Sequence, residues 1–395
     1  MNFSIIVPDG TTNHGRPDLL CVPPKWYDYV VFFFANYFAH AATIVTMPGQ
    51  NWSQAALTSI LALFLPVSGI TRATRLILRR PTLARHDALL RATRARAVCM
   101  VVRRRIEPHG APRFRSWWEC YDETSFIFPG ANIHGELWFP SQSMYSLAYV
   151  PSRAVLEFRK KRLPRARDSD PLPPEDDPFR QPPTLAASYS FPKLFISLVQ
   201  VIWAIGTLYQ TRVDQLTRFG YAAFGLTVAQ YAWMSIVNTF ANMLSPSYPT
   251  LYLVRTPAMD EAEAEGCFFS GEIEVELDRK AELVENKWYE REYCTSMIGG
   301  LLLGLVPLVV VGALSGFRAG GSTLIQQVFT MAWLVVSILI GGIFAAVPAI
   351  SNKKIYAVIA VGLVLYVPVV GGTAIVGMVL VGLMIREFGV CTLIG

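Results

Sequence analysis

Apolar and polar positions fall into long blocks along this chain, and only its loops carry the shorter amphipathic patterns of a soluble domain. Seven blocks are long enough to read as spans, because hydrocarbon about 30 Å thick needs roughly 20 apolar helical residues. They cover residues 29–47, 53–70, 194–210, 219–244, 297–317, 324–350 and 355–385. Asn36 and His40 interrupt the first, and Pro66 interrupts the second, which neighbouring helices can accommodate. The last block would be roughly 46 Å long as a helix. With Pro368, Gly371 and Gly372 in its middle, it reads as one tilted, kinked helix or as a re-entrant hairpin of two short arms. The single helix is preferred.

Composition agrees with this pattern. Hydrophobic types make up 52% of 395 residues and charged types only 16%, against about 25% charged in soluble domains. The expected fold is an α-helical multi-pass membrane protein of about seven transmembrane helices, with a small mixed α/β cytosolic domain built from two loops. Its segments are an amino-terminal stretch (1–28), spans one and two (29–70), a basic loop (71–192), spans three and four (193–244), an acidic loop (245–295), spans five to seven (296–385) and a tail (386–395). The amino-terminal stretch has no basic region followed by an apolar core, so span one is expected to serve as an uncleaved signal.

Charge sets the expected orientation. The basic loop holds 21 of the 35 Lys and Arg residues, and such loops stay cytosolic. That places the amino terminus in the cytosol and the carboxyl terminus outside, in a plasma membrane or endomembrane. The basic loop has a net charge of +9 and the acidic loop −7, counted over the printed sequence. Residues 71–105 read as a basic amphipathic helix interrupted by Pro81, residues 117–155, rich in aromatic and turn residues as in 133–139, as short strands, and 163–183 as a proline-rich linker. In the acidic loop, residues 251–254 and 271–277 read as strands and 260–265 as helix. With both loops on one side, strand pairing between them would satisfy edges that either loop alone leaves open.

Phe219-Gly220-Tyr221-Ala222-Ala223-Phe224-Gly225-Leu226-Thr227 and Tyr248-Pro249-Thr250-Leu251-Tyr252-Leu253-Val254 resemble segments of multi-pass membrane proteins of filamentous fungi that carry no assigned activity. Asn36-Tyr37-Phe38-Ala39-His40-Ala41-Ala42-Thr43 and Ile133-His134-Gly135 fit the same resemblance, which covers residues 25–295. It implies membership and no mechanism.

Candidate chemistry is sparse. No span holds an ionised side chain, which argues against proton- or sodium-coupled transport. Asn36, His40 and Thr43 share one face of span one; Thr227, Gln230, Asn238 and Asn242 share one of span four; Gln200 lies in span three. These amides and the imidazole either line a polar cavity or make interhelical hydrogen bonds. Arg72, Arg75, Arg79 and Arg80 are candidates for contact with anionic inner-leaflet lipid; a patch abutting the membrane does not suit nucleic acid. Gly300-x-x-x-Gly304 and Gly312-x-x-x-Gly316 suit close helix packing within the chain or a homo-oligomer interface. Six scattered cysteines suggest neither a disulfide framework nor a zinc site. His109, Cys120 and His134 are too dispersed to support a metal, no catalytic motif stands out, and no cofactor is expected. A passive channel or uncoupled carrier fits best; a membrane enzyme acting on lipidic substrates and a non-catalytic scaffold are the alternatives.

Overall fold

The structure, a computed structural model, describes residues 7–84, 87–103, 131–140, 143–151, 154, 156–158, 185–273, 275–277, 285–346 and 353–394. Strand β1 (Leu19–Val22) precedes a continuous helical rod: α1 (Trp26–Phe33), a π-helical turn (Phe34–Phe38) and α2 (Ala39–Ala42). Helices α3 (Trp52–Phe64), α4 (Pro66–Arg79) and α5 (Ala88–Arg94) follow, then strands β2 (Val98–Arg103), β3 (Ile133–His134), β4 (Leu137–Trp138), β5 (Tyr145–Tyr149) and β6 (Leu156–Phe158). Helix α6 (Phe191–Phe219) leads through two 3-10 turns into α7 (Ala229–Leu244). Next come β7 (Leu251–Val254), α8 (Pro257–Ala264), β8 (Phe268–Phe269) and β9 (Val275–Leu277). The chain closes with α9 (Glu285–Ser315), α10 (Leu324–Ala346), α11 (Lys353–Phe388) and β10 (Val390–Leu393).

Among the described residues, three helices are long and apolar enough to cross a membrane: Phe191–Arg212, Ile298–Ser315 and Gly371–Phe388. The count rises to four if the bent pair α3–α4 is one span, and Leu324–Ile340 is shorter but apolar. Seven full-length apolar helices are therefore not present among the described residues. The outward faces nonetheless carry large apolar side chains, such as Phe195, Trp203, Leu302, Val309 and Val379, all more than half exposed. Buried positions of the bundle helices include Ser197 and Thr211 of α6, Asn238 of α7, Ser315 of α9 and Ser337 of α10. Apolar outside and polar inside is the reverse of a water-soluble bundle.

The expected second span does not run straight. Pro66 has no N–H to donate and forces Leu65 out of helical geometry (φ −131°, ψ 74°), so the axes of α3 and α4 bend by 119°. The freed backbone groups find partners on other helices. Leu63 O accepts the Tyr231 hydroxyl, Phe64 O accepts Trp333 Nε1 at 3.2 Å, and Val67 N donates to Ser337 Oγ at 3.2 Å. Gln50, just before α3, accepts from Arg72 in α4 at 3.2 Å, so both arms lead back to one level. The pair is a hairpin whose tip is buried in protein. Against it packs α9, where a Cβ on Gly300 would lie 2.7 Å from Thr71 and one on Gly304 2.9 Å from Val67. These glycines serve close approach within the chain.

Other expectations also change. The expected fourth span begins as 3-10 turns (Gly220–Ala222 and Phe224–Val228), because Gly220 has φ +55° and Gly225 is pressed against Thr211. Residues 98–103, expected to be helical, form β2. Val98 to Val102 is an apolar run buried between two neighbours, the setting of a central strand. The last block is one helix, α11, as preferred; residues 347–350 of the sixth block and His109 and Cys120 lie outside the described residues.

The two loops do build one domain. Its four-stranded sheet has the order β3-β7-β2-β5, with β7 parallel to both β3 and β2, and β4–β8 and β6–β9 are antiparallel pairs. Each of these sheets joins a strand from 71–192 to one from 245–295. Leu251, Leu253, Cys99, Val101 and Phe269 form its core, with Leu137, Phe139 and Tyr149 packed against them.

At the far end of the bundle, β1 pairs with β10 and Cys21 is disulfide-bonded to Cys391. The expectation that the scattered cysteines form no disulfide framework fails for this pair, while Cys99 and Cys267 are free and buried. Arg218 forms an ion pair with Glu387 at 2.6 Å and Tyr221 N donates to Arg318 O at 2.9 Å, so the ends of α6 and α11 and the α9–α10 connection meet at this end. The opposite end holds the domain: Ser188 bridges Ser247, and Asn132 N donates to Gly49 O at 2.7 Å. The amino-terminal strand thus sits at the end of the bundle away from both loops.

Candidate functional site

A polar seam runs between the α1–α2 rod, α6 and α7. The π-helical turn supplies its first part, since a π turn offsets the register of successive faces and recurs at functional sites. Asn36 donates to Phe32 O at 3.0 Å, and its side-chain oxygen accepts from Thr207 Oγ1 at 3.1 Å. Tyr37 shares a hydrogen bond with Thr227 and packs against Tyr231 and Trp333, with ring centroids 4.7 and 5.6 Å away. One turn on, His40 Nδ1 lies 2.6 Å from Ser235 Oγ. After α2 the chain is irregular, and Val45 N donates to Asn238 Oδ1 at 3.1 Å while Asn238 Nδ2 donates to Met234 O.

Helix α6 answers with residues 193, 197, 200, 204, 207 and 211, spaced four and three apart and hence on one face. Lys193 Nζ donates to Ile44 O at 3.1 Å at the domain end, and Thr207 meets Asn36 about 21 Å further along, from 14 residues of helical rise. Gln200 lies midway, at the level of His40. Several buried polar atoms on these faces have no protein partner: His40 Nε2, Ser197 Oγ, Gln200 Oε1, Thr239 Oγ1 and Asn242 Nδ2. Buried polar groups are nearly always paired, with water where protein does not suffice. Five such atoms lie on these faces.

Of the polar residues singled out in the sequence, Asn36, His40 and Asn238 meet in the seam through direct bonds, and Gln200 and Asn242 lie on its faces. Gln230 does not join them. It lines a separate cavity of about 20 Å³, room for one water, with Thr227, Pro307, Val311 and Thr330. Pro307 also frees the carbonyl of Leu303, which accepts Trp233 Nε1 at 2.7 Å. Arg72, Arg75 and Arg79 follow one another on α4 toward the domain, and Arg80 is the exposed left-handed residue ending that helix (φ +51°). Arg72 is held by Gln50, which also accepts from Met47 N and donates to Thr58. Sequence reasoning missed Lys193, Ser197, Thr207 and Ser235, although the four-and-three spacing on α6 was there to find.

The His40–Ser235 pair has the spacing of a base beside a hydroxyl nucleophile. Both side chains are fully buried, and no third group orients the imidazole through Nε2. That arrangement suits interhelical hydrogen bonding better than acyl chemistry. In the domain, burial raises the Tyr149 hydroxyl above its usual range, and Arg96 stacks over its ring at 5.1 Å. Compared with known proteins, the chain matches no family model, no curated protein and no solved structure.

Proposed function

We propose that the chain is a multi-pass membrane protein acting as a passive channel or uncoupled carrier, with the seam between the α1–α2 rod, α6 and α7 as its path. The observation that carries this reading is the row of unpartnered buried polar atoms along facing helices. The seam's middle holds amides, hydroxyls and one imidazole, with no carboxylate to bind a coupling ion, so the reading is of uncoupled passage.

Six crossings and one re-entrant hairpin support the topology: the α1–α2 rod, α6, α7 with its preceding turns, α9, α10 and α11 cross, and α3–α4 enters and returns. An even number of crossings leaves both termini on one side and the composite domain on the other. The basic loop assigns the domain to the cytosol. The Cys21–Cys391 bond then lies on the non-cytosolic side, where disulfides persist.

Flux of small polar solutes from proteoliposomes tests the function. Asn238→Leu removes the acceptor of Val45 N and blocks the seam, so flux is expected to be lost while the protein remains folded in detergent. Equal flux through wild type and variant would sink the proposal.

A further inference from the structure

We propose that Arg72 and Lys193 form an anion-binding site at the domain end of the seam, taking a phosphate-class anion. This rests on the reading of the seam as a path and names what is drawn to its mouth. Two cations from different elements converge there. Lys193, at the start of α6, donates to Ile44 O at 3.1 Å; Arg72, on the hairpin arm α4, donates to Gln50 Oε1 at 3.2 Å. Residues 44 and 50 belong to the same irregular connection between α2 and α3, so both cations are tied to that one connection. The guanidinium of Arg72 acts electrostatically on Lys193, on Arg75 and on Tyr149 of β5. Both side chains are half-buried, and the protein acceptors they use are neutral. Among the described residues, no ion pair joins either one to a carboxylate.

Partly desolvated like charges side by side are unfavourable unless an anion lies between them. An arginine fork beside a lysine point charge is a common pairing for phosphate oxygens. From this mouth the polar face of α6 continues inward through Ser197 and Gln200, each with an unpartnered buried oxygen. The shared chemistry is a phosphate group, and either inorganic phosphate or the headgroup of an anionic inner-leaflet lipid supplies it.

The test uses the full-length protein in phosphatidylcholine nanodiscs, titrated with inorganic phosphate and followed by thermal unfolding. A parallel set carries phosphatidic acid in place of part of the phosphatidylcholine. A saturable rise in Tm with phosphate identifies a free anion. A rise with phosphatidic acid that phosphate does not add to identifies a headgroup. Both outcomes support the site; no rise in either set overturns it without any variant being made. Arg72→Gln or Lys193→Gln is expected to weaken binding about tenfold or more, the effect of losing one charge-assisted hydrogen bond. Arg212→Gln, an exposed position near the other end of α6, should leave binding unchanged. Should the glutamine variants misfold, Arg72→Lys and Lys193→Arg keep the charge and are expected to retain binding within severalfold. Failure of the path and failure of the site stay distinct. Solute flux without phosphate binding overturns this inference alone, and phosphate binding without flux overturns only the path.

Discussion

At the scale of single residues, the bundle depends on a few contacts that allow no extra atom. Gly225 is the sharpest case: a Cβ there would fall 1.8 Å from Thr211 Oγ1 and 3.0 Å from Gln215 Oε1, which itself accepts from Gly225 N. Gly225→Ala therefore must push α6 away from the turns that precede α7, and overpacking of this kind costs about 1–3 kcal/mol. Thr211→Ala in the same chain removes the nearest atom and is expected to recover part of that loss. Thermal unfolding in detergent reads both; a Gly225→Ala protein as stable as wild type would show that the helices are not this close. Trp233, Tyr231 and Ser337 act in the opposite way, each supplying the partner that a proline elsewhere leaves wanting.

The element that most changes the picture is the α3–α4 hairpin. Its outer arm exposes Trp52, Leu57 and Ile60, while its inner arm buries Val67, Ile70, Ala73 and Thr74 against α7 and α9. One arm thus lies on the outside of the bundle and the other at its centre. Broken helices are tolerated at membrane depth only where protein re-satisfies the backbone, and here three side chains from α7 and α10 do so. A straight second span would put residues 53 and 83 on opposite sides. The hairpin puts both on the domain side. Single cysteines introduced as Ser53→Cys and Leu83→Cys, both exposed positions, should be shielded together from an impermeant thiol reagent applied to sealed cells. Labelling of one and not the other would show a crossing instead.

At the scale of the whole molecule, the chain is closed on itself. The disulfide links residues 370 positions apart, within a two-stranded sheet. A cross-link of this kind is typically worth about 2–4 kcal/mol through restriction of the unfolded chain. Cys21→Ser is expected to lower the unfolding temperature, and an impermeant reductant added outside sealed cells should do the same to wild type. Resistance of the bond to that reductant, with opening only after lysis, would place the termini in the cytosol. At the other end, three strand systems cross between the two loops. Among the described residues, their apolar core involves no ion pair, and Arg255 binds Asp260, Glu263 and Glu272 within one loop. High salt should therefore leave the domain assembled.

The sequence by itself determined the membrane character, the common side of the two long loops and most of the strands that join them, with β2, read as helix, the exception. Those features depend on composition over about 20 residues and on period-two alternation, both local properties. It also held every polar residue of the seam, but as separate stripes. Which stripes face one another was decided only in three dimensions: Asn36 meets Thr207 and His40 meets Ser235 across 171 and 195 positions, while Gln230, on the stripe drawn for span four, turns to another cavity. Pro66 was legible as a break, yet a kinked crossing and a returning hairpin have the same hydropathy. The choice between them came from Tyr231, Trp333 and Ser337, which lie 168 to 270 positions from the backbone groups they satisfy. The end of the bundle at which the amino terminus sits, and with it the Cys21–Cys391 bond, follows from that choice, because hydropathy measures how apolar a segment is and carries no record of the direction in which the chain leaves it.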